Sequence, residues 1–133
     1  MKYLYALMFL SSVALAPAAM ATPASDAMMA QYKSAGAGNF DAERGKSNWT
    51  KEVKSDEGEM ESCTTCHGTD LNKQGKHHKT KKVIEPMSAT VNPERFTDEK
   101  KIEKWFKRNC KDVWARECTP QEKGDFLKFL LSH

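Results

Sequence analysis

Large apolar residues recur at the spacing of a helix face in three stretches of the chain, and no useful length of sequence alternates apolar and polar positions as a strand does. These residues are Met28, Met29 and Tyr32; Ile102, Trp105 and Phe106; and Phe126, Phe129 and Leu130. The first stretch follows Asp26 and closes with glycines at 36 and 38. The pattern predicts an all-α chain.

Cap residues set the expected boundaries of the last two helices. Thr97 is placed to cap the second helix, with two acidic residues following at the positive end of the helix dipole. We expect that helix to end near Asn109. Thr119, Pro120 and Glu122 occupy the N-cap, N1 and N3 positions of the third helix, which is the arrangement of a capping box.

The stretches between these helices are less regular. Residues 40–60 alternate charges with single aromatic residues and predict a mixture of turn and helix. Residues 73–82 contain no apolar side chain and predict a solvated loop. The five lysines of that loop, Lys73, Lys76, Lys79, Lys81 and Lys82, are candidates for docking an acidic redox partner, although a merely soluble loop is the more frequent explanation of such a charge run.

The first 21 residues have the pattern of a secretion signal. Lys2 supplies a positive charge, residues 3–10 and 13–16 are mostly apolar, and the small residues Ala19 and Ala21 occupy the positions that a signal peptidase reads. We expect cleavage after Ala21, a mature domain of residues 22–133 and a bacterial periplasmic location. A retained membrane anchor is the alternative, but polar residues and Pro17 interrupt the run, so no stable membrane insertion is expected once the signal is removed.

Composition restricts the classes of protein that remain. The chain has 133 residues, 39% of them hydrophobic and 29% charged, so one small domain with a modest core is expected. Such a domain needs help from a disulfide, a metal or a large cofactor. The net charge of +3, one unit lower without Lys2, is too weak to indicate nucleic acid or an anionic membrane as a partner. Large multidomain, transmembrane and collagen-like proteins are excluded.

Residues 63–67 read Cys-Thr-Thr-Cys-His, which is the C-x-x-C-H pattern of haem c attachment. One helical turn between the cysteines places both thiols beside the vinyl groups of a single porphyrin, and the next residue offers an imidazole to the iron. The motif predicts one covalently attached haem c, bound through Cys63 and Cys66, with His67 as the proximal iron ligand.

Three other interpretations of the motif remain open. A thioredoxin-type redox pair lacks the expected βαβ context. A zinc site completed by Cys110 and Cys118 lacks a second close pair of ligands, because these cysteines are eight positions apart. A Cys63–Cys66 disulfide beside a surface His67 is the third alternative.

The sixth coordination position is not settled by the motif. Met87 is the last methionine of the chain and lies only twenty residues beyond His67, and Met60 lies three residues before the motif. His77 or His78 would give a bis-histidine electron carrier. Asn109 ends a predicted helix, where asparagine is also favoured for its backbone conformation.

The order of proximal helix, long loop and C-terminal helix resembles the class I cytochromes c, whose distal ligand is usually a methionine before the last helix. From the haem motif nearly to its end, the chain more closely resembles the oxygen-binding monohaem cytochromes called sphaeroides haem protein, SHP. The matching segments are Val83–Pro86, Val91–Pro93, Arg95–Asp98, Lys104–Phe106, Arg108–Cys110 and Glu117–Lys123.

The resemblance implies a small class I cytochrome fold with Asn109 as the distal ligand of the ferric iron. It also implies a Cys110–Cys118 disulfide, worth about 2.5 kcal/mol on the chain-entropy model. That bridge either restrains the backbone beside Asn109 or is a plain structural link. The packing of Trp105 and Phe106 is expected to be core-like, with one ring touching the porphyrin.

The resemblance further implies that the protein accepts an electron from a c-type cytochrome, including the dihaem type with which the family is associated. A neutral amide oxygen suits Fe(III) better than the softer Fe(II), so reduction should release Asn109 and open the iron to O₂ or NO. The alternatives are a simple six-coordinate electron shuttle and an enzyme that oxidises NO to nitrate. The remaining polar residues show no catalytic constellation of their own.

Overall fold

The computed structural model describes residues 20–55 and 57–133, and the predicted leader of residues 1–21 lies almost wholly outside them. The helices are α1 (Pro23–Ser34), α2 (Ala42–Thr50), α3 (Cys63–His67), α4 (Glu99–Trp114) and α5 (Pro120–Leu130). The strands, two residues each, are β1 (Val53–Lys54), β2 (Met60–Glu61), β3 (Gly75–Lys76) and β4 (Val83–Ile84). They form two antiparallel pairs, β1–β2 and β3–β4. No helix in the described part of the chain has the length and apolar character needed to cross a membrane.

The first predicted helix is confirmed as α1. Thr22 caps it, since its hydroxyl accepts a hydrogen bond of 3.0 Å from Ser25 N–H, and Pro23 occupies N1. Within residues 40–60, the structure forms α2, which begins after Asp41, whose carboxylate accepts a 2.8 Å bond from Arg44 N–H. The sequence shows only a mixed pattern here, because much of α2 is charged and few of its residues are buried.

The predicted boundaries of α4 are wrong at both ends. Asp98 rather than Thr97 is the N-cap, with its carboxylate accepting a bond from Lys101 N–H. The helix continues five residues past Asn109, because Val113 and Trp114 extend its apolar face, and it ends at Ala115 in a left-handed conformation with φ 54°. Asn109 is therefore an interior helical residue and not a cap.

The capping box of α5 is confirmed. Thr119 Oγ1 accepts a bond from Glu122 N–H, and the Glu122 carboxylate accepts one from Thr119 N–H. The apolar face of α5 forms the centre of the molecule, where Leu127 is fully buried and Leu130 is 1% exposed.

Helix α2 packs closely across α5. A Cβ at Gly45 would overlap the backbone of Asp125 and lie 2.8 Å from the Cβ of Phe129, so the side chain of any other residue would separate the helices. Asp125, which is 1% exposed, stabilises this contact. Its carboxylate accepts hydrogen bonds from Asp41 N–H, the Arg44 guanidinium and the Gln121 amide. The α2–α5 pair forms a rigid base beneath α3.

The expectation of a fully solvated loop over residues 73–82 is wrong in part. Gly75 and Lys76 pair with Ile84 and Val83, which turns the segment back on itself. The turn brings His78 against the attachment motif, where its Nδ1 lies 3.3 Å from Cys66 Sγ.

Candidate haem-binding site

A cavity of about 800 Å³ lies between α3, α4 and the segment of residues 77–98. Its volume falls in the range of roughly 300–1,000 Å³ found for pockets that bind cofactor-sized molecules. Its wall contains the predicted site residues Cys63, Cys66, His67, Trp105, Phe106 and Asn109, and also the alternative distal candidates His77, His78 and Met87. The fold therefore brings the C-x-x-C-H motif and the middle of α4 to one cavity.

A single helical turn, α3, carries the two cysteines and the histidine. Its start is fixed by the buried Ser62, whose N–H donates to Thr65 Oγ1 at 2.9 Å. Its end is Gly68 with φ +72°. Gly75 lies directly against it, since a Cβ at Gly75 would be 2.9 Å from His67 Cα, and glycine thus allows β3 to touch the backbone of α3.

The His67 imidazole is half-buried and uncharged. Its ring centroid lies 5.1 Å from that of Trp49. Burial, assisted by the positive charge of Arg95, lowers the pKa of His67 to about 4, so the ring is neutral at pH 7. Its Nδ1 is buried and has no hydrogen-bond partner among the described residues. Neutral imidazole is the form that binds a metal ion.

The structure contradicts each of the three alternatives to haem attachment. Cys63 and Cys66 are not bonded to each other. Burial raises the pKa of the Cys63 thiol to about 12, the reverse of the low pKa that a thioredoxin-type cysteine needs. Cys110 and Cys118 are joined as a disulfide with their Cα atoms 5.6 Å apart, so they cannot complete a zinc site.

Asn109 lies on the cavity wall next to this disulfide. Its side chain is half-buried and forms no hydrogen bond with any residue that the structure describes. Cys110 is buried behind it in α4, and its partner Cys118 directly precedes the Thr119 cap of α5. The disulfide thus ties the part of α4 that carries Asn109 to the start of the central helix.

Comparison with known proteins identifies the family. A family model described as a domain of unknown function, DUF1924, matches residues 35–130. The chain is 38% identical over 123 residues to the cytochrome c-type protein SHP of Cereibacter sphaeroides, covering 92% of this chain and 95% of that protein. The chain belongs to the SHP family of c-type cytochromes.

Solved structures agree with this SHP assignment. The structure of oxidized SHP, described as an oxygen binding cytochrome c, aligns with a TM-score of 0.74 at 38% identity, covering 82% of this chain and 96% of that one. Oxidized cytochrome c'' of Methylophilus methylotrophus aligns with a TM-score of 0.71 at 30% identity, covering 81% and 93% of the two chains. The predicted all-α, class I-like cytochrome fold is confirmed.

The cofactor of this SHP-family chain is haem c, and the cavity fits it. The wall offers two thiols one helical turn apart and a neutral imidazole beside them. It also contains Trp49, whose Nε1 is buried without a partner in the described structure, as is Nδ1 of His67. Buried donors without partners are costly in a folded protein, so their presence here is consistent with a missing polar group of a cofactor.

Local sequence patterns do not indicate which side chains surround Cys66. His78 Nε2 lies 3.2 Å from Oε1 of Glu61, a carboxylate that is 6% exposed, and the ring of His78 stacks on that of His77 at 5.4 Å. His77 Nδ1 accepts bonds from the backbone N–H groups of Lys79 and Thr80. Both histidines therefore belong to the cavity wall beside Cys66, and not to a free loop.

The two methionines occupy different positions. Met60 is 55% exposed and does not line the cavity, whereas Met87 is half-buried and does. Phe106 is half-buried in the cavity wall and stacks on Phe126 at 6.0 Å, as a core residue does. Trp105 lines the cavity but is 47% exposed, so the expectation of core packing is wrong for this ring.

Proposed function

We propose that this protein is a periplasmic monohaem cytochrome that accepts an electron and, when reduced, binds a small diatomic molecule, O₂ or NO. The observation that carries the proposal is that the unpaired Asn109 amide lines the same cavity as His67. The described oxygen binding of the SHP relative supports it. Export rests on the leader pattern of residues 1–21, and the mature protein is residues 22–133.

Each site residue has one role in this proposal. Cys63 and Cys66 hold the haem through thioether bonds, His67 is the proximal ligand, and Asn109 is the distal ligand in the ferric state. When bound, the haem supplies an iron that changes oxidation state and has a coordination position for a diatomic ligand.

Asn109 is suited to be a weak ligand. Its amide oxygen is neutral and hard, so it favours the ferric over the ferrous state. No hydrogen bond to a described residue holds the side chain in place, whereas the backbone of α4 is anchored through Cys110 and Cys118. A rotation of the side chain would suffice to withdraw such a ligand, and the amide would remain on the cavity wall to donate a hydrogen bond to a small molecule there.

The electron donor in this proposal is another c-type cytochrome, including a dihaem one. Two other activities use the same residues. A six-coordinate shuttle would keep its distal ligand in both oxidation states. An enzyme that oxidises NO would produce more than one equivalent of nitrate per haem from NO and air in the presence of a reductant.

An absorption spectrum before and after reduction tests the proposal. We expect the ferrous protein to be high-spin and its spectrum to shift when CO is added, because loss of the Asn109 ligand leaves a free position. An unchanged low-spin ferrous spectrum that ignores CO would identify the shuttle and contradict the proposal. The nitrate yield then separates a binding protein from an NO-oxidising enzyme.

A further inference from the structure

Helix α4 carries a compact group of cations around an exposed tryptophan. We call this group the α4 row: Lys100, Lys101, Lys104, Trp105 and Arg108. The positions are three or four residues apart along two adjacent lines, so they share one side of the helix. The indole ring is 47% exposed, with Lys104 Nζ and Arg108 Cζ at 5.7 and 5.3 Å from its centroid.

Within the described structure, the charges of the α4 row are free, as are those of Lys76, Lys81 and Lys82 in the 73–82 segment, whereas several other surface cations are paired. None of its four cations has a carboxylate within salt-bridge distance among residues 20–55 and 57–133. The other basic residues of α4 that face away from the core, Lys107 and Lys111, both approach Glu117. In the 73–82 segment, Lys73 pairs with Asp70 and Lys79 pairs with Glu57 at 2.8 Å.

The α4 row is also the rim of the haem cavity. Lys101, Trp105 and Arg108 line the cavity and are among the exposed residues of α4. Asn109 follows Arg108 directly on the same helix. A molecule seated on the α4 row therefore contacts the wall of the haem site without entering it.

We propose that the α4 row is the docking surface for an acidic electron-transfer protein that reduces the haem iron, an inference that rests on the redox role proposed above. One electron passes from the reduced partner, which is oxidised, to the ferric iron, which is reduced, and the transfer makes or breaks no covalent bond in the partner or the chain. Free cations steer an acidic protein to this rim, and the exposed tryptophan supplies the kind of aromatic anchor that dominates interface energies.

The charge of the row decides between possible occupants. A second copy of this chain would place like charges against each other, which disfavours association through this face. A nucleic acid requires a longer basic surface, whereas residues 100–108 extend only about 12 Å along the helix. An acidic protein surface of ordinary size matches both the sign and the extent of the row.

The test compares charge reversals on two surfaces of the holoprotein. The Lys100→Glu, Lys104→Glu double variant changes the row at positions that do not line the haem cavity. The matched control is Lys73→Glu with Lys76→Glu, which makes the same charge change in the 73–82 segment. Reduced flavodoxin, a small acidic electron-transfer protein, serves as the probe, and the reduction of the ferric iron is followed by stopped-flow absorbance at low ionic strength.

We expect the α4 variant to be reduced at least about tenfold more slowly than the parent and the control within about twofold of it, with the difference lost at high salt. The proposal would be overturned if the α4 variant and the parent were reduced at equal rates, or if the control lost as much of its reduction rate as the α4 variant. It would also be overturned if the reduction rate of the parent did not depend on salt. The reduction potential and the CO response of each variant are measured alongside. A failure to bind CO would refute gas binding and leave the docking result intact. A failure of the charge-reversal test would refute docking and leave gas binding intact.

Discussion

Replacing both attachment cysteines, Cys63→Ala with Cys66→Ala, is expected to give a chain without covalent haem and without most of its helical signal. The cavity of about 800 Å³ is then unfilled. The apolar part of the cavity wall then faces water, a loss of the same order as the roughly 5–15 kcal/mol by which a whole domain is stable. The chain cannot keep the cavity open, so we expect collapse rather than a folded protein with an empty site.

Haem content after acidic extraction of non-covalent haem and the far-ultraviolet circular dichroism spectrum measure this effect. The control is Cys110→Ala with Cys118→Ala, which removes the other two cysteines. That variant should keep covalent haem and its helices and lose about 2.5 kcal/mol of stability. A Cys63, Cys66 double variant with the parent's helix content and no haem would show that the cofactor is not part of the core.

Asp125→Ala is expected to lower the free energy of unfolding of the holoprotein by about 3 kcal/mol or more. Its buried carboxylate accepts hydrogen bonds from two helices and the turn before α2, including both nitrogens of the Arg44 guanidinium edge. Removing the acceptor leaves several of these donors partly buried without partners, which is more costly than losing an exposed ion pair.

Urea unfolding followed by haem absorbance measures the loss. Glu117→Ala is the matched control, because it also removes a carboxylate with two basic neighbours, Lys107 and Lys111, but on the surface. Its effect should stay below about 1 kcal/mol. Equal effects of the two substitutions would mean that burial of Asp125 adds nothing to the α2–α5 contact.

Local signals in the sequence predicted the parts of the fold that depend on neighbouring residues. The capping box of α5 and the turn of α3 are both fixed within four or five positions, and both are present in the structure. The end of α4 was misplaced, because a polar Asn109 interrupts the apolar pattern that Val113 and Trp114 resume one turn later. An interior asparagine on a helix facing a cavity looks like a helix end when only the sequence is read.

The features of the site that could not be predicted from the sequence depend on contacts between segments that are far apart in the chain. Glu61 is buried with its Oε1 3.2 Å from Nε2 of His78, seventeen positions away, and nothing near either residue in the sequence indicates that they approach each other. The exposure of Trp105 has the same origin. Its helical spacing matches that of a core residue, but the packed face of α4 is already filled by Ile102 and Phe106, and the indole is left at the rim.

The ferric absorption and electron paramagnetic resonance spectra of Asn109→Ala test the central claim most directly, with Met87→Leu as the matched variant of another neutral donor on the cavity wall. We predict that Asn109→Ala changes the ferric spectra, because the distal amide is lost, and that Met87→Leu leaves them as in the parent. Ferric spectra of Asn109→Ala identical to those of the parent, or a change in Met87→Leu alone, would contradict an asparagine ligand opposite His67.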